Sequence, residues 1–411
     1  MLRIYNTLSK TTEAFHPVNK KIVRIFTCGP SVYQSAHIGN FRTYLFEDIL
    51  VRYLEYSGFK VKRGMNFTDI EDKALKEAAR KKISVKHLTD ENIRKFIHEM
   101  KLLKMKVPDY LPRASDSVSE SVAIIRKLVR RNIAYWYRGN VYFDPLKFPG
   151  FGRLYGLDMT VWPKNKRRFH KDTYPGMQWN LGDFILWHGY KKGDIYYWDT
   201  DIGRGRPSWN IQDPGMIIRF SKETLSVYCG GIDNLYRHHD YIMAVLESVR
   251  PYPVAKYWLH CNHLHINGQK MSKSKGNIIF TETLVRQEYS LPEIRFFLIY
   301  GHYRDRINYT QNNMRRITDR LRELKKIVRK IKERAEEMLS ANSPLLKGGW
   351  GDYKLKKAFS TNMDNDLDVR GAVDELIRIL SGVRIDRLRP GTASGIIKTL
   401  TEIDEVLRVI F

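Results

Sequence analysis

Residues 20–28, KKIVRIFTC, form a short β-branched run that stops at Gly29-Pro30, the pattern of a buried strand ending in a turn. Ser31 to Asn40 follows, and then Leu45, Ile49, Tyr53 and Leu54 fall on one stripe of a helix that Gly58 ends. A second strand is expected over Phe59 to Met65. Strand, glycine-bearing turn, helix and strand in this order make a βαβ unit. Such a unit crosses over right-handed and binds its ligand at the carboxyl ends of the strands. The pattern therefore predicts an α/β fold.

Between 121 and 206 the text changes to a helix, a β-like segment Gly139–Phe143, and a stretch rich in Gly, Trp and basic residues including Lys164, Lys166, Arg167, Arg168 and Lys171. This reads as an insertion. A strand over Leu225 to Cys229 then enters Gly230-Gly231-Ile232-Asp233, with a helix around Tyr241 to Val249. From Gln311 the chain reads as helical to its end. Ile317, Leu321, Leu324, Val328, Ile331, Ala335 and Met338 step alternately by four and three, a heptad-like seam for packing against other helices. Pro and Gly mark 341–352 as a loop, and no internal repeat is evident.

Composition adds a strong sign. The 411 residues carry 71 Lys and Arg against 45 Asp and Glu, a formal net charge of +26, while 43% are hydrophobic, which excludes disorder and allows large cores. A positive field of this size points to polyanionic partners: nucleic acid, anionic lipid or phosphorylated ligands. Arg315, Arg316, Arg322, Lys325, Lys326, Arg329, Lys330 and Lys332 lie off the helical seam, and solvated charge and RNA contact both stay open for that face. Cys28, Cys229 and Cys261 form no CxxC pair and no even disulfide set, which suits a reducing cytoplasm. Neither a signal-type amino terminus nor a run of about 20 apolar residues is present, so a soluble cytoplasmic protein with no membrane span is expected.

Two short motifs carry the chemistry. In His37-Ile38-Gly39-Asn40 a glycine stands at a helix entrance just after a strand, where free N–H groups and the helix dipole favour anionic oxygens. Lys270-Met271-Ser272-Lys273-Ser274, followed by Lys275-Gly276-Asn277, concentrates ammonium and hydroxyl groups in one loop. Taken singly, the first reads as a structural histidine and the second as solvated surface. Together, in this order, they resemble the HIGH and KMSKS signatures of class I aminoacyl-tRNA synthetases. Within that class FTCGPSVYQSAHIGNFRTY, NFTDIEDK, GGIDNLYRHHD, NGQKMSKSKGN and MDNDLDVRGAVDEL resemble motifs of the cysteinyl-tRNA synthetase family, over roughly residues 20–385.

The resemblance implies a Rossmann-type parallel-sheet catalytic domain with an insertion, followed by a helical bundle. The expected division is 1–120 and 207–255 for the two halves of the catalytic domain, 121–206 for the insertion, 256–310 for the KMSKS loop and connecting fold, and 311–411 for the bundle. It implies ATP and Mg²⁺, an aminoacyl adenylate, and transfer to tRNA, with cysteine as the substrate by family. His37 and Asn40 would meet the triphosphate, and Lys270 and Lys273 would neutralise the phosphates in the transition state. Gly39, Met271, Ser272 and Ser274 complete the two ATP signatures. Gly230 and Gly231 would admit adenosine, and Asp233 would take the ribose hydroxyls.

The amino-acid half departs from the family, whose zinc is held by two Cys, one His and one Glu and binds the substrate thiol. Cys28 and His238 are present, but the second Cys is Asp213, in Trp209-Asn210-Ile211-Gln212-Asp213, and the Glu is Ile242. Tyr228 stands where the family has a His. Either Cys28, Asp213 and His238 still hold a metal, or the zinc is lost and Asp213, Tyr228 and Thr68 recognise an amino acid by hydrogen bonds, with Trp209 beside them. Loss is the preferred reading at this point. The family's anticodon-binding module has no evident counterpart after the bundle, so a ligase with a small amine acceptor and a non-catalytic RNA- or protein-binding paralogue stand as alternatives. The oligomeric state is left open.

Overall fold

The computed structural model describes residues 1–161, 182–271, 276–339 and 350–411. At its centre four parallel strands lie in the order Ala255–Cys261, Leu225–Gly231, Val23–Thr27, Val61–Met65. Val23, Ile25, Phe26 and Thr27 are all buried, with no alternation, because helices cover both faces of a parallel sheet. Helix Ile38–Tyr56 joins Val23–Thr27 to Val61–Met65, as the βαβ pattern predicts. Gly58 leaves that helix at a φ of +89°, a left-handed geometry suited to glycine. The strands begin later than the apolar runs suggest. Phe59 is drawn away to an edge-to-face contact with the ring of Phe15, and Lys60 accepts from Val23 N–H before pairing proper starts at Val61. The fourth strand, Ala255–Cys261, runs across residue 255 and was not legible as a strand in the sequence.

The segment after 121 builds a separate antiparallel sheet in the order Ala134–Tyr137, Asn140–Phe143, Phe184–Gly189, Gly205–Pro207. The β-like Gly139–Phe143 is thus the second arm of a hairpin. It shares a core with helix Val118–Arg130, helix Trp209–Phe220 and helix Asp240–Glu247. The basic cluster at 164–171 lies outside the described residues. A small sheet of Gln269–Lys270, Leu264–Ile266 and Ile307–Tyr309 leads into helix Gln311–Leu339. On that helix Ile317, Leu321, Leu324, Val328, Ile331 and Ala335 are buried as the seam requires, against helices Leu291–Tyr300, Val369–Ser381 and Pro390–Leu407. Of the loop expected over 341–352, residues 341–349 lie outside the described residues, and a helix starts at Trp350. No described helix is long and apolar enough to cross a membrane.

One buried ion pair ties these parts together. Asp48, on the βαβ helix, is fully buried and accepts from Arg295 Nη2 at 2.7 Å, Arg52 Nε at 2.9 Å and the backbone N–H of Lys106. Arg295, on helix Leu291–Tyr300, also donates to the carbonyls of Leu103 and Leu407, so one guanidinium spans three segments. Burial alone would raise the Asp48 carboxyl, but Arg295 and Arg52 outweigh it and hold it below its usual range. Asp48→Ala leaves Arg295 as an uncompensated buried charge. The expected cost is about 3–5 kcal/mol, read as a lower urea midpoint at an unchanged slope. A midpoint equal to that of the parent protein would refute this role.

Candidate active site

The carboxyl ends of the parallel strands open onto one cleft of about 760 Å³. Its wall includes His37, Gly39, Asn40, Gly231, Asp233, Lys270 and Met271 together with Cys28, Thr68 and Trp209. Residues read from motifs far apart in the chain are thus brought to a single cavity. Ser272, Lys273 and Ser274 lie outside the described residues.

On the nucleotide-signature side, Val23–Thr27 ends at Cys28 and the chain turns at Gly29. A Cβ there would lie 1.8 Å from the Asn66 carbonyl oxygen, so only glycine fits. His37 caps the following helix: the Asn40 N–H donates to His37 Nδ1 at 3.3 Å, and the His37 N–H donates to Asn40 Oδ1 at 3.0 Å. With Nδ1 accepting, the proton of the neutral ring sits on Nε2. Burial pushes the His37 pKa down to about 4, against smaller upward effects of a backbone hydrogen bond and Asp233. Gly39 leaves room for Met271, whose Cε would be 2.3 Å from a Cβ at that position. Met271 is therefore packed on the helix entrance.

Gly231 and Asp233 line the cleft at the end of Leu225–Gly231, and Asp233 is exposed. Gly230 is not on the cleft. It is buried, and a Cβ there would meet the His239 ring at 2.6 Å, so its small size makes room for that histidine.

Behind the wall a compact set of donors converges. Cys28 Sγ is 3.5 Å from His238 Nε2 and 3.8 Å from Asp213 Oδ2, and His238 Nε2 is 3.1 Å from that same oxygen. All three side chains are buried, the Asn66 amide donates to the other Asp213 oxygen at 3.1 Å, and the Trp209 ring stacks on His238 at 4.1 Å. Burial and the Asp213 charge push the Cys28 thiol well up. Tyr228 is fully buried, stacked on Trp258 and edge-on to His239, so it faces this cluster from inside and not the cleft. Thr68 meets the cleft, and its carbonyl accepts from the Val32 N–H. Ile242 is fully buried in the apolar core shared with the insertion.

Sequence reasoning missed His239, whose ring nitrogen comes within 4.8 Å of the Cys28 and His238 donors. Its Nδ1 is 2.7 Å from His260 Nε2, and His260 Nδ1 is 2.9 Å from Thr7 Oγ1. Burial and the neighbouring His260 and His238 push the His239 pKa well down. The adjacent His-His doublet was the available signal. Asn66 and His263 were also missed, the first inside a quoted motif and the second just before the lysine loop.

The family described as tRNA synthetases class I (C) catalytic domain matches residues 14–319. Among solved structures, Mycobacterium tuberculosis methionyl-tRNA synthetase bound by methionyl-adenylate superposes with a TM-score of 0.66 at 14% identity, covering 94% of this chain and 92% of that one. The ternary complex of Agrobacterium radiobacter K84 agnB2 LeuRS with tRNA and LeuAMS gives 0.67 at 11% identity, over 96% and 85%. Parallel sheet, cleft and signatures define a class I aminoacyl-tRNA synthetase fold. The cysteine–tRNA ligase of Chlamydia pneumoniae is 36% identical over 416 residues, covering 100% of this chain and 86% of the relative. That of Brachyspira hyodysenteriae is 33% identical over 410 residues, with 98% and 85% covered. The chain belongs to the cysteinyl-tRNA synthetase family.

Because burial dominates at His37, its ring should stay neutral down to about pH 4. Its imidazole resonances, assigned by comparison with His37→Asn, should titrate near that value. A midpoint at the ordinary histidine value of about 6.5 would contradict the buried, capped geometry.

Proposed function

We propose that this protein is an ATP-dependent ligase that activates cysteine as its adenylate and transfers it to the terminal ribose of a tRNA. The observation that carries the proposal is the shared cleft, in which the phosphate-handling groups and the Cys28–Thr68–Trp209 wall face one volume. Activation is attack of the amino-acid carboxylate on the α-phosphorus of ATP, with cleavage of the bond to pyrophosphate. Transfer is attack of a ribose hydroxyl on the adenylate carbonyl, with AMP leaving and the hydroxyl proton lost. Such chemistry asks the protein for positioning and for stabilisation of charge spreading over phosphate oxygens. His37, neutral with its Nε2–H free to donate, suits an oxygen of the triphosphate better than a charged ring of variable protonation. The helix entrance at Gly39 and Asn40 adds N–H groups, Asp233 offers a carboxylate to the ribose, and Lys270 brings positive charge, with Lys273 and Mg²⁺ assigned alongside it. The insertion and the basic faces of the bundle are assigned to tRNA, and the cytoplasm is the proposed site of action.

Of the two readings of the metal, the geometry favours retention over the loss preferred from sequence. Tetrahedral zinc with bond lengths of about 2.0–2.3 Å separates neighbouring donors by about 3.3–3.6 Å. The Cys28, Asp213 and His238 edges of 3.1, 3.5 and 3.8 Å bracket that range. Asn66 holds the carboxylate in place from the far oxygen, as partners of metal ligands do. When bound, zinc would take the substrate thiolate in the fourth position and so select cysteine over serine. The chain's own part is to hold three donors buried at this spacing, with Trp209 fixing the His238 ring.

Pyrophosphate exchange into ATP, run with each of the twenty amino acids, tests the activity. Cysteine should support exchange, and Lys270→Ala should reduce it by about 10²-fold or more, the scale of one lost transition-state charge stabiliser. Exchange with no amino acid would overturn the proposal. For the metal, protein purified without added zinc should hold about one equivalent, lost in Cys28→Ala and Asp213→Ala. Cysteine-dependent exchange in metal-free protein would instead restore the reading in which hydrogen bonds alone recognise the amino acid.

A further inference from the structure

The lysine that the proposed chemistry uses is poorly held by its own strand. Lys270 ends the two-residue strand Gln269–Lys270, is exposed, and carries its ammonium on a flexible four-carbon stem. Among the described residues that ammonium has one hydrogen-bond partner, His263, whose Nε2 is 3.4 Å away. His263 sits just past the carboxyl end of the edge strand Ala255–Cys261 and lines the same cleft as Lys270, His37 and Asp233. Its backbone is fixed from both sides. The His263 N–H donates to Asn262 Oδ1 at 2.8 Å, and its carbonyl accepts from the Ile307 N–H at 3.3 Å. The parallel sheet's edge strand thus presents an imidazole to an exposed cation at the cleft edge.

We infer that His263 is a positioning residue for ATP, a neutral imidazole that accepts a hydrogen bond from Lys270 and holds its ammonium at the phosphate end of the cleft. This rests on the proposed role of Lys270. The imidazole has to be neutral, because a protonated Nε2 has no lone pair to offer and repels the lysine. Burial lowers the His263 pKa, Lys270, His265 and Arg306 lower it further, and Asp233 opposes them. Fixing the stem before ATP arrives removes rotamer entropy that the nucleotide would otherwise have to overcome on binding. Neither the lysine-loop signature nor the helix-entrance motif contains this histidine.

A double-mutant cycle on ATP affinity, measured by titration calorimetry without amino acid, and on pyrophosphate exchange with cysteine tests the inference. His263→Ala should weaken ATP binding about 10-fold in the parent protein and less than 2-fold in Lys270→Ala. His263→Gln, whose amide oxygen also accepts from an ammonium, should recover most of the loss. Equal weakening by His263→Ala in both backgrounds, no weakening in the parent, or no recovery by His263→Gln would each overturn it. Failure of the aminoacylation reading looks different: cysteine-dependent exchange is absent while ATP binding and the cycle remain measurable.

Discussion

The parallel pairing of Val23–Thr27 with Leu225–Gly231 is the constraint on which the rest depends. It registers Ile25 against Val227 and continues one residue past the end of Val23–Thr27, where the Cys28 N–H donates to the Cys229 carbonyl at 3.0 Å. Because parallel strands end on the same side of a sheet, this register sets Cys28 and the Gly29-Pro30 turn beside Gly231 and Asp233. Val61–Met65 adds Asn66 and Thr68 at the same edge, and Ala255–Cys261 adds Asn262 and His263. A slip of either central strand would separate the thiol from Asp213 and His238 and the helix entrance from the lysine loop. The fold's large sequence separation is thus the means by which distant motifs share one cavity.

Burial then decides which groups are charged there. His37 is held near 4 and His260 near 3, and His239 is pushed well down, so these three rings are neutral at ordinary pH. Just beneath the sheet edge Glu47 pairs with Arg63 at 2.7 Å, both buried, and burial still pushes Glu47 up to about 7. Neutral rings act as hydrogen-bonding fixtures, leaving the positive charge of the cleft to Lys73, Lys76, Arg206 and Lys270. Lys270 is exposed, whereas His239 and His260 are buried and His37 is half-buried and held by its helix cap. That division matches what phosphate chemistry needs, namely screened cations that can follow the reacting group and donors that cannot drift.

Much of this was legible in sequence because it is local. The strand–turn–helix of Val23–Tyr56, the capping pair His37 and Asn40, the lysine loop and the heptad seam from Ile317 to Ala335 each announce themselves by spacing or residue type. Ala255–Cys261 did not, since Lys256 and His260 break its apolar run and its burial is conferred by neighbours contributed from elsewhere in the chain. Gly230 and Gly231 read alike in sequence because spacing cannot tell which face of a strand end a residue lies on. The place of Gly230 against His239 is a tertiary fact. His263 escaped for the same reason: nothing along the chain says that its ring meets Lys270 across a tight turn.

The two departures from the family's metal set are connected by charge and by packing. Ile242 belongs to a fully buried apolar core between helix Asp240–Glu247 and the insertion, a setting in which an unpaired carboxylate would be costly. Asp213 keeps one negative donor where the family has a thiolate, and Asn66 satisfies its second oxygen. In the proposed site the protein ligands are then one thiolate, one carboxylate and a neutral imidazole, which just balance a divalent cation. The family's set, with two thiolates and a carboxylate, leaves an excess negative charge before substrate arrives. A balanced centre is a stronger Lewis acid toward an incoming thiolate, because attraction falls with each anionic ligand already bound. It is also more weakly held, having lost a soft sulfur donor. In the proposed centre the substitutions would therefore exchange metal affinity for thiolate affinity, which gives Cys28, Asp213 and His238 a reason to stay together with Ile242 in the fourth position.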